Sequence, residues 1–374
     1  MRTTASYDLF PDAPSERVMA RARWLAREGR VDEAESAYRE LLKQHPDLKP
    51  VWAECFELLR TNRRPQDALR LADAAHTQFG DSAFVFTLRG AALVDLGRFK
   101  DALTALEQAI ELDPDLGPAW HELGLAAYRL GDRSRALLAL DRAFALEPHT
   151  ETLKLRGKVL RDAGRYVAAE VAFDGAAQAA EHAEQREDAE REILTTRRYA
   201  FYSPRKPDEL NASERWFADT GTVVLTPDNG PVPPGDETLV QAFVELAEDR
   251  GWRFGQVAVV GPTLPVWGQL AEALGVPVVS KAGFDPDTCP LVVAPRPMPA
   301  DAAWQALTGA VTTTNQGLVF VLEHPAEPGD EAADVIGVLT DGGERRRRMP
   351  NAAHAMSEAQ HPVARCAGRR LQPA

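Results

Sequence analysis

The sequence predicts an α + α/β protein, with an N-terminal all-α solenoid followed by a small α/β domain that has a mostly parallel sheet. Three observations support this prediction. One amphipathic helical pattern recurs at a fixed interval through the first half of the 374 residues. In the second half, short apolar strands alternate with helices. The first pattern gives way to the second near residue 200.

The first half contains five copies of one motif. They read EGRVDEAESAYRELLKQHP (28–46), NRRPQDALRLADAAHTQFG (62–80), LGRFKDALTALEQAIELDP (96–114), LGDRSRALLALDRAFALEP (130–148) and AGRYVAAEVAFDGAAQAAE (163–181). Successive copies start 34, 34, 34 and 33 residues apart. One helical pair of this length cannot bury its apolar face alone, whereas stacked copies bury a continuous core. The repeat therefore predicts a solenoid.

Small residues recur at two positions of the motif, which lets the two helices of a copy approach closely. The second helices carry Ala34, Ala68, Ala102, Ala136 and Ala169, and the first helices carry Ala22, Gly90, Gly124 and Gly157. Phe56 replaces the small residue in the second copy, so we expect that pair to be splayed or repacked. Glycine ends the first helix at positions 29, 97, 131 and 164, where a left-handed cap suits it.

This pattern resembles the tetratricopeptide repeat, a 34-residue helix–turn–helix, over about residues 15–180. The resemblance implies about five repeats. The charged, strongly helical segment that follows them, to residue 199, is interpreted as the capping helix of the solenoid. Residues 1–14 are interpreted as an N-terminal extension.

The resemblance also implies a concave groove, lined by the first helices, that binds a segment of a protein partner. The candidate partner-binding residues are Arg23, Arg27, Arg60, His121, Tyr128, Arg129, Lys154, Lys158 and Arg161. Because several of them are basic, an acidic peptide segment is the expected ligand. Exposed helix faces carry charges in any case, and Glu57 and Asp95 dilute the positive charge. The asparagines of the family's carboxylate clamp are missing, so capture of a chaperone's C-terminus is not predicted.

In the second half, residues 200–220 are interpreted as a connector and residues 221–340 as the α/β domain. Its strands include GTVVLT, QVAVVG, VPVVS, PLVVAP and LVFVLEHP. Strands that are apolar throughout indicate burial on both faces, as in a Rossmann-like parallel sheet with helices on both sides. Beyond a Rossmann-like fold, the sequence of this half identifies no specific family.

Polar residues follow these strands at the edge where α/β sheets bind ligands. The candidate small-ligand residues are Asp228, Gly261, Thr263, Ser280, Lys281, Arg296 and His324. Lys281, Arg296 and His324 together would suit a phosphate or a carboxylate, although polar residues end buried strands in any sheet. The sequence has no GxxxxGK[ST] loop, GxSxG elbow or HExxH motif, and its histidines are scattered. We therefore predict no catalytic residue, no cofactor and no metal.

The composition narrows the partners and the compartment. A net charge of −13 disfavours nucleic acid, because phosphate contacts need clustered lysine and arginine. Three cysteines without a CxxC pair indicate a reducing compartment, and no run approaches the roughly 20 apolar residues of a membrane helix. Abundant alanine and arginine indicate a bacterial origin, so a bacterial cytoplasmic protein is expected. Residues 341–374 are polar and locally basic and are predicted to be a disordered tail.

These features favour a non-enzymatic adaptor over two alternatives. In the adaptor, the solenoid recruits a protein partner, and the α/β domain docks a second component or mediates self-association. The first alternative is a transferase-like enzyme whose solenoid presents a protein substrate. The second is a regulator whose α/β pocket senses a ligand. The proline-rich strand ends TPDNGPVPPG and APRPMP suit a rigid docking surface better than a mobile active-site loop.

Overall fold

The computed structural model describes residues 14–210, 212–225, 235–314, 316–325, 333–341 and 344–345. The chain divides into two compact units. The first falls within residues 1–163 and 171–189, and the second within residues 164–170 and 190–374. The sequence-based domain bounds, with a boundary at residue 199, remain predictions.

Within residues 14–179, pairs of helices follow one another, joined by short turns. The helices are α1 (Pro14–Arg27), α2 (Val31–Gln44), α3 (Lys49–Thr61), α4 (Pro65–Phe79), α5 (Ala83–Asp95), α6 (Phe99–Leu112), α7 (Gly117–Arg129), α8 (Arg133–Leu146), α9 (Thr150–Asp162) and α10 (Tyr166–Ala179). α11 (Ala183–Phe201) comes next. These bounds confirm the predicted helical solenoid, because each pair matches one copy of the motif.

The turn within each pair needs a left-handed backbone conformation. Gly97 and Gly131 adopt φ angles of 72° and 83° directly after α5 and α7, a region that glycine enters without steric cost. In the second copy, whose sequence lacks this glycine, Arg63 takes the same conformation with a φ of 56°. The turn is therefore kept even where the favoured residue is absent.

The first-helix glycines are required by close packing against the second helix of the same copy. A Cβ atom at Gly124 would lie 2.7 Å from Leu140 Cγ, and one at Gly157 would lie 2.6 Å from Phe173 Cζ. Phe56, at the equivalent position, is 2 % exposed, and α3 contacts α4 less extensively than α5 contacts α6. The second pair is thus opened by a large side chain, as the sequence predicts.

The second unit is built around a mostly parallel sheet. Its strands are β1 (Val223–Val224), β2 (Val257–Val259), β3 (Val278–Val279), β4 (Leu291–Ala294), β5 (Leu318–Pro325), β6 (Val335–Asp341) and β7 (Glu344–Arg345). The strand order is β1-β6-β5-β4-β2-β3, all parallel, and β7 pairs antiparallel with β6. The order of β2 to β6 is that of a doubly wound sheet, with β1 as an added edge strand.

Helices cover both faces of this sheet. They are α12 (Ala212–Thr220), α13 (Asp236–Asp249), α14 (Pro265–Leu274) and α15 (Ala302–Thr314). Leu291 and Val293 of β4 pack in a cluster with α13 and α14, and the alternate residue Val292 packs in a second cluster with α15. Burial on both faces explains why the inner strands are apolar throughout. The edge strand β3 differs from the expectation, because its Val278 is 48 % exposed. The predicted α + α/β fold class is confirmed.

The predicted connector and tail are described in part. α12 contributes Phe217 to one sheet cluster and Trp216 to the other, so these aromatic side chains belong to the core of the second unit. Residues 1–13, 342–343 and 346–374 lie outside the described residues, so most of the predicted tail is not described. In the part of the chain that the structure describes, no helix is both long and apolar enough to cross a membrane.

Candidate functional site

A cavity of about 670 Å³ opens in the first unit between the first helices of four repeats. We call it the repeat cavity. Its walls come from α3, α5, α7 and α9 and from the segment that joins α8 to α9. Its charged and imidazole side chains are Glu57, Arg60, Asp95, His121, Glu122, Glu147, His149 and Glu151.

Arg60 on α3 forms hydrogen bonds that connect this helix with α5 and α7. Its Nε donates to Asp95 Oδ2 at 2.6 Å, and its Nη1 donates to Glu122 Oε1 at 2.7 Å and to Glu57 Oε1 at 3.1 Å. The Arg60 side chain is only 17 % exposed. Burial opposes its charge, but the hydrogen bond to Asp95 and the charges of Glu122 and Glu57 outweigh burial and raise the pKa of Arg60. This predicted groove residue is a structural ion-pair centre.

Glu122 carries the least satisfied polar atom of the cavity wall. The residue is 7 % exposed, and burial raises the pKa of its carboxyl group, against the opposing charge of Arg60. One oxygen accepts from Arg60, but among the described residues Oε2 has no hydrogen-bond donor. A buried acceptor without a donor is costly to the fold, so a ligand that donated to this oxygen would form a hydrogen bond that the chain itself leaves unmade.

His121 is a neutral member of the cavity wall. Its Nδ1 lies 3.0 Å from the Thr152 hydroxyl on α9. Burial, with contributions from His149 and Arg60, lowers the pKa of His121 to about 4. The imidazole therefore links α7 to α9 as a neutral hydrogen-bonding group at physiological pH.

The depressed pKa of His121 predicts a pH-dependent stability. Between pH 6.5 and about 4 the unfolded chain binds a proton at this histidine and the folded chain does not. Stability is therefore lost as the pH falls through that window, by up to about 3 kcal/mol. Urea unfolding of the repeats at pH 7 and at pH 4.5 should show a smaller loss for His121→Asn, which keeps a hydrogen-bonding atom beside Thr152. Equal losses in the two proteins would contradict this assignment.

The other predicted groove residues are distributed along the repeats rather than gathered at the cavity. Arg23 binds Glu54, which also accepts from Tyr38, and Tyr128 donates to Asp162 Oδ2 at 2.6 Å. Lys154 is 9 % exposed and pairs with Glu151 and Asp188. The Arg161 guanidinium lies 5.7 Å from the Phe173 ring centroid. Arg27 and Arg129 are exposed, and Lys158 is partly exposed.

The expectation that the groove is basic is wrong for the residues that line the cavity. Five carboxylates line it (Glu57, Asp95, Glu122, Glu147 and Glu151) and a single guanidinium, that of Arg60, stands against them. The physical reason is that Arg60, the predicted arginine that lines the cavity, is already paired. It pairs with Asp95 one repeat away and with Glu122 two repeats away, which neutralises its positive charge.

Sequence reasoning missed Glu122, Glu147, His149 and Glu151 as cavity residues. A signal was present for Glu122, which occupies the same repeat position as Glu54 and Leu88, at steps of 34 residues. Leu88 is 7 % exposed, which shows that this position is buried. A carboxylate at a position that is apolar in the neighbouring copy indicates a buried polar contact.

In the second unit, the predicted anion-binding residues do not converge. β2 and β4 separate β3, which precedes Lys281, from β5, which holds His324. That is about 14 Å at the usual spacing of strands. Arg296 is bound by Glu323, with its Nε 2.8 Å from Oε2. His324 is 2 % exposed, and its ring packs against Trp216 at a centroid distance of 5.2 Å.

The crevice where the strand order reverses lies beyond the carboxyl ends of β2 and β4. A Cβ atom on Gly261 would lie 2.8 Å from the Met298 sulfur, so this methionine lies against the turn that follows β2. Thr263 and Ser280 are exposed, and Asp228 lies outside the described residues. In the described part of the chain, no cluster of three or more potential metal ligands is present.

The matches to known protein families lie in the region of the repeated helices. Sequence models of the tetratricopeptide repeat match residues 15–55, 90–131 and 121–184. These matches overlap the paired helices described above. The repeats are tetratricopeptide repeats.

Curated relatives match part of this chain. The Hsp70-Hsp90 organizing protein of Triticum aestivum is 38 % identical over 88 residues, which are 24 % of this chain and 14 % of that protein. Cellulose synthase operon protein C of Pseudomonas fluorescens (strain SBW25) is 30 % identical over 142 residues, covering 35 % of this chain and 11 % of that protein. The chain thus spans a small fraction of the length of these relatives.

Among solved structures, a thermophilic tetratricopeptide repeat protein of Thermus thermophilus matches with a TM-score of 0.43 and 20 % identity. The match covers 48 % of this chain and 99 % of that one. The tetratricopeptide repeats support a protein–protein interaction role for the chain.

Proposed function

We propose that this chain is a recruiting adaptor that binds a segment of a partner protein in the repeat cavity. The observation that carries the proposal is the cavity itself, about 670 Å³ between α3, α5, α7 and α9. A volume of this size holds a few side chains of a peptide. One bound segment would touch residues from 57 to 152, and therefore four consecutive repeats.

The cavity walls are held in place before any ligand arrives. Arg60 links α3 to α5 and α7, and His121 links α7 to α9. Binding to walls that are already ordered avoids the entropy cost of immobilising side chains, which favours affinity. Arg60 and His121 therefore stabilise the arrangement of the helices around the cavity. The walls of the repeat cavity form the proposed contact surface.

For the α/β domain, we propose docking or self-association rather than catalysis. The edge strand β3 pairs only with β2 among the described strands, and its Val278 side chain is 48 % exposed. An apolar edge strand is a surface on which another chain can pair. The enzyme and ligand-sensor alternatives require converging polar groups, and the geometry around Lys281, Arg296 and His324 does not support them.

A pair of substitutions in one repeat tests the proposed groove. Leu125 lines the repeat cavity, whereas Leu138 of the same repeat is 70 % exposed and lies outside it. Leu125→Arg should fill the cavity with a long charged side chain and reduce retention of a stoichiometric partner at least tenfold. The measurement is affinity purification of the full chain from its native lysate with quantitative mass spectrometry.

The control is Leu138→Arg, which makes the same chemical change on the outside of the same repeat. It should retain the partner as the unmodified chain does. Thermal unfolding of both variants checks that the repeats remain folded, because Leu125 also packs against the buried cluster that includes Leu123. A partner that binds equally well to the Leu125→Arg chain would overturn the proposal that the cavity recruits it.

A further inference from the structure

The repeat cavity has more negative charge than its own residues neutralise. Arg60 is surrounded by Asp95, Glu122 and Glu57, so its positive charge is already shared by three carboxylates. Glu147 and Glu151 add two more at the α8–α9 side of the cavity. Lys154 pairs with Glu151, but it also pairs with Asp188, and it is not part of the cavity wall. The electrostatic field of the cavity therefore favours a positively charged ligand.

Glu122 offers a positively charged ligand a specific hydrogen-bond acceptor in this cavity. The residue is 93 % removed from solvent, since only 7 % of its surface is exposed, and it lines the cavity. Its Oε2 has no hydrogen-bond donor among the described residues. A ligand that brings an N–H donor and a positive charge to this oxygen would satisfy both the unmade hydrogen bond and the excess negative charge.

We infer that the segment bound in the repeat cavity is basic, and that one of its lysine or arginine side chains donates to Glu122 Oε2. This inference rests on the proposed function, because it specifies the ligand of the same cavity. An acidic segment would place its carboxylates beside those of Glu122 and Asp95, where like charges repel. A metal ion fits less well, since the described residues contain no cluster of three potential metal ligands.

The test is a selection of random dodecapeptides displayed on phage against the immobilised full chain. Peptides that bind are synthesised, and their affinities are measured by fluorescence polarisation against four proteins. The four are the unmodified chain, Glu122→Gln, Glu111→Gln and Leu125→Arg. Glu111 is the matched control because it is an exposed glutamate of the same unit outside the cavity.

The selected peptides should share a lysine or an arginine, and Glu122→Gln should weaken their binding at least tenfold while Glu111→Gln changes it less than twofold. Replacing the shared arginine by citrulline, or the lysine by norleucine, removes the charge without adding bulk. That replacement should cost at least tenfold against the unmodified chain and less than threefold against Glu122→Gln, because the two groups act as a pair.

Two outcomes separate the inference from the function on which it rests. Peptides that Leu125→Arg abolishes, but that contain no basic residue or bind Glu122→Gln equally well, would overturn the inference and leave the groove proposal standing. A selection that yields no peptide sensitive to Leu125→Arg would overturn both.

Discussion

Replacing Arg60 with glutamine is expected to cost the first unit about 3–5 kcal/mol of its free energy of unfolding, the range for breaking a buried ion pair. The arginine side chain is 17 % exposed, and the side chain of its partner Glu122 is 10 % exposed. Without the guanidinium, the Glu122 carboxylate stays buried with no positive charge beside it, and Asp95 also loses its partner. Urea unfolding of the full chain, followed by the helical signal of the repeats, measures the loss.

Two further variants show that the loss comes from uncompensated charge. Glu122→Gln alone should cost about 1 kcal/mol or less, because the amide oxygen still accepts from Arg60. Added to Arg60→Gln, it should recover most of the stability, since Asp95 and Glu57 are exposed enough to be hydrated. Arg30→Gln is the surface control, because its ion pair with Glu33 is exposed to solvent and should contribute little to stability. If Arg30→Gln cost as much as Arg60→Gln, burial would not be the cause.

The repeats show why their architecture could be predicted from the sequence. The position of Gly124 is fixed by contact with Leu140 on the second helix of the same copy, and Gly131 is fixed by the left-handed turn between them. Both requirements are local in sequence, and each copy restates them at the same spacing. The exception could also be predicted, because Phe56 is much larger than the glycine or alanine of the other copies, and the helices around it have to adjust to its size.

The charge of the site could not be predicted in the same way. Whether Arg60 is available to a ligand depends on Asp95, 35 residues away, and on Glu122, 62 residues away. A list of groove positions taken one repeat at a time contains the arginine but not these partners. The sign of the cavity's charge therefore follows from contacts between repeats. The spacing of the motif does not contain that information.

In the second unit, too, some features could be predicted from the sequence and others could not. Strand burial on both faces could be predicted from the apolar runs, because a half-exposed strand alternates polar and apolar residues. The strand order could not be predicted from the sequence. That order decides whether residues at the ends of different strands come close together. β2 and β4 lie between the strands that carry Lys281 and His324 toward the sheet edge. The side chain of His324 also packs beside Trp216, on the face covered by α15.

Replacing Gly317 with alanine is expected to destabilise the second unit by about 4 kcal/mol, combining backbone strain with a steric clash. Gly317 has a φ of 79°, and an added Cβ atom would lie 2.1 Å from the Pro290 carbonyl oxygen. That oxygen accepts from the Leu318 N–H, so relieving the clash would break a hydrogen bond where β4 and β5 begin. Hydrogen exchange in urea, read from peptides that cover residues 291–325, measures the effect on these strands.

The control for Gly317→Ala is Gly309→Ala on α15 of the same unit. No heavy atom lies within 4 Å of the Cβ atom that alanine would add there, and the φ angle is not in the left-handed region. Because alanine favours a helix over glycine by about 1 kcal/mol, this variant should be as stable as the unmodified chain or slightly more stable. The same added methyl group should thus have opposite effects at the two positions. A cost below about 1 kcal/mol at Gly317 would mean that the chain can shift Pro290 without penalty, and that the close approach of β4 and β5 does not require glycine.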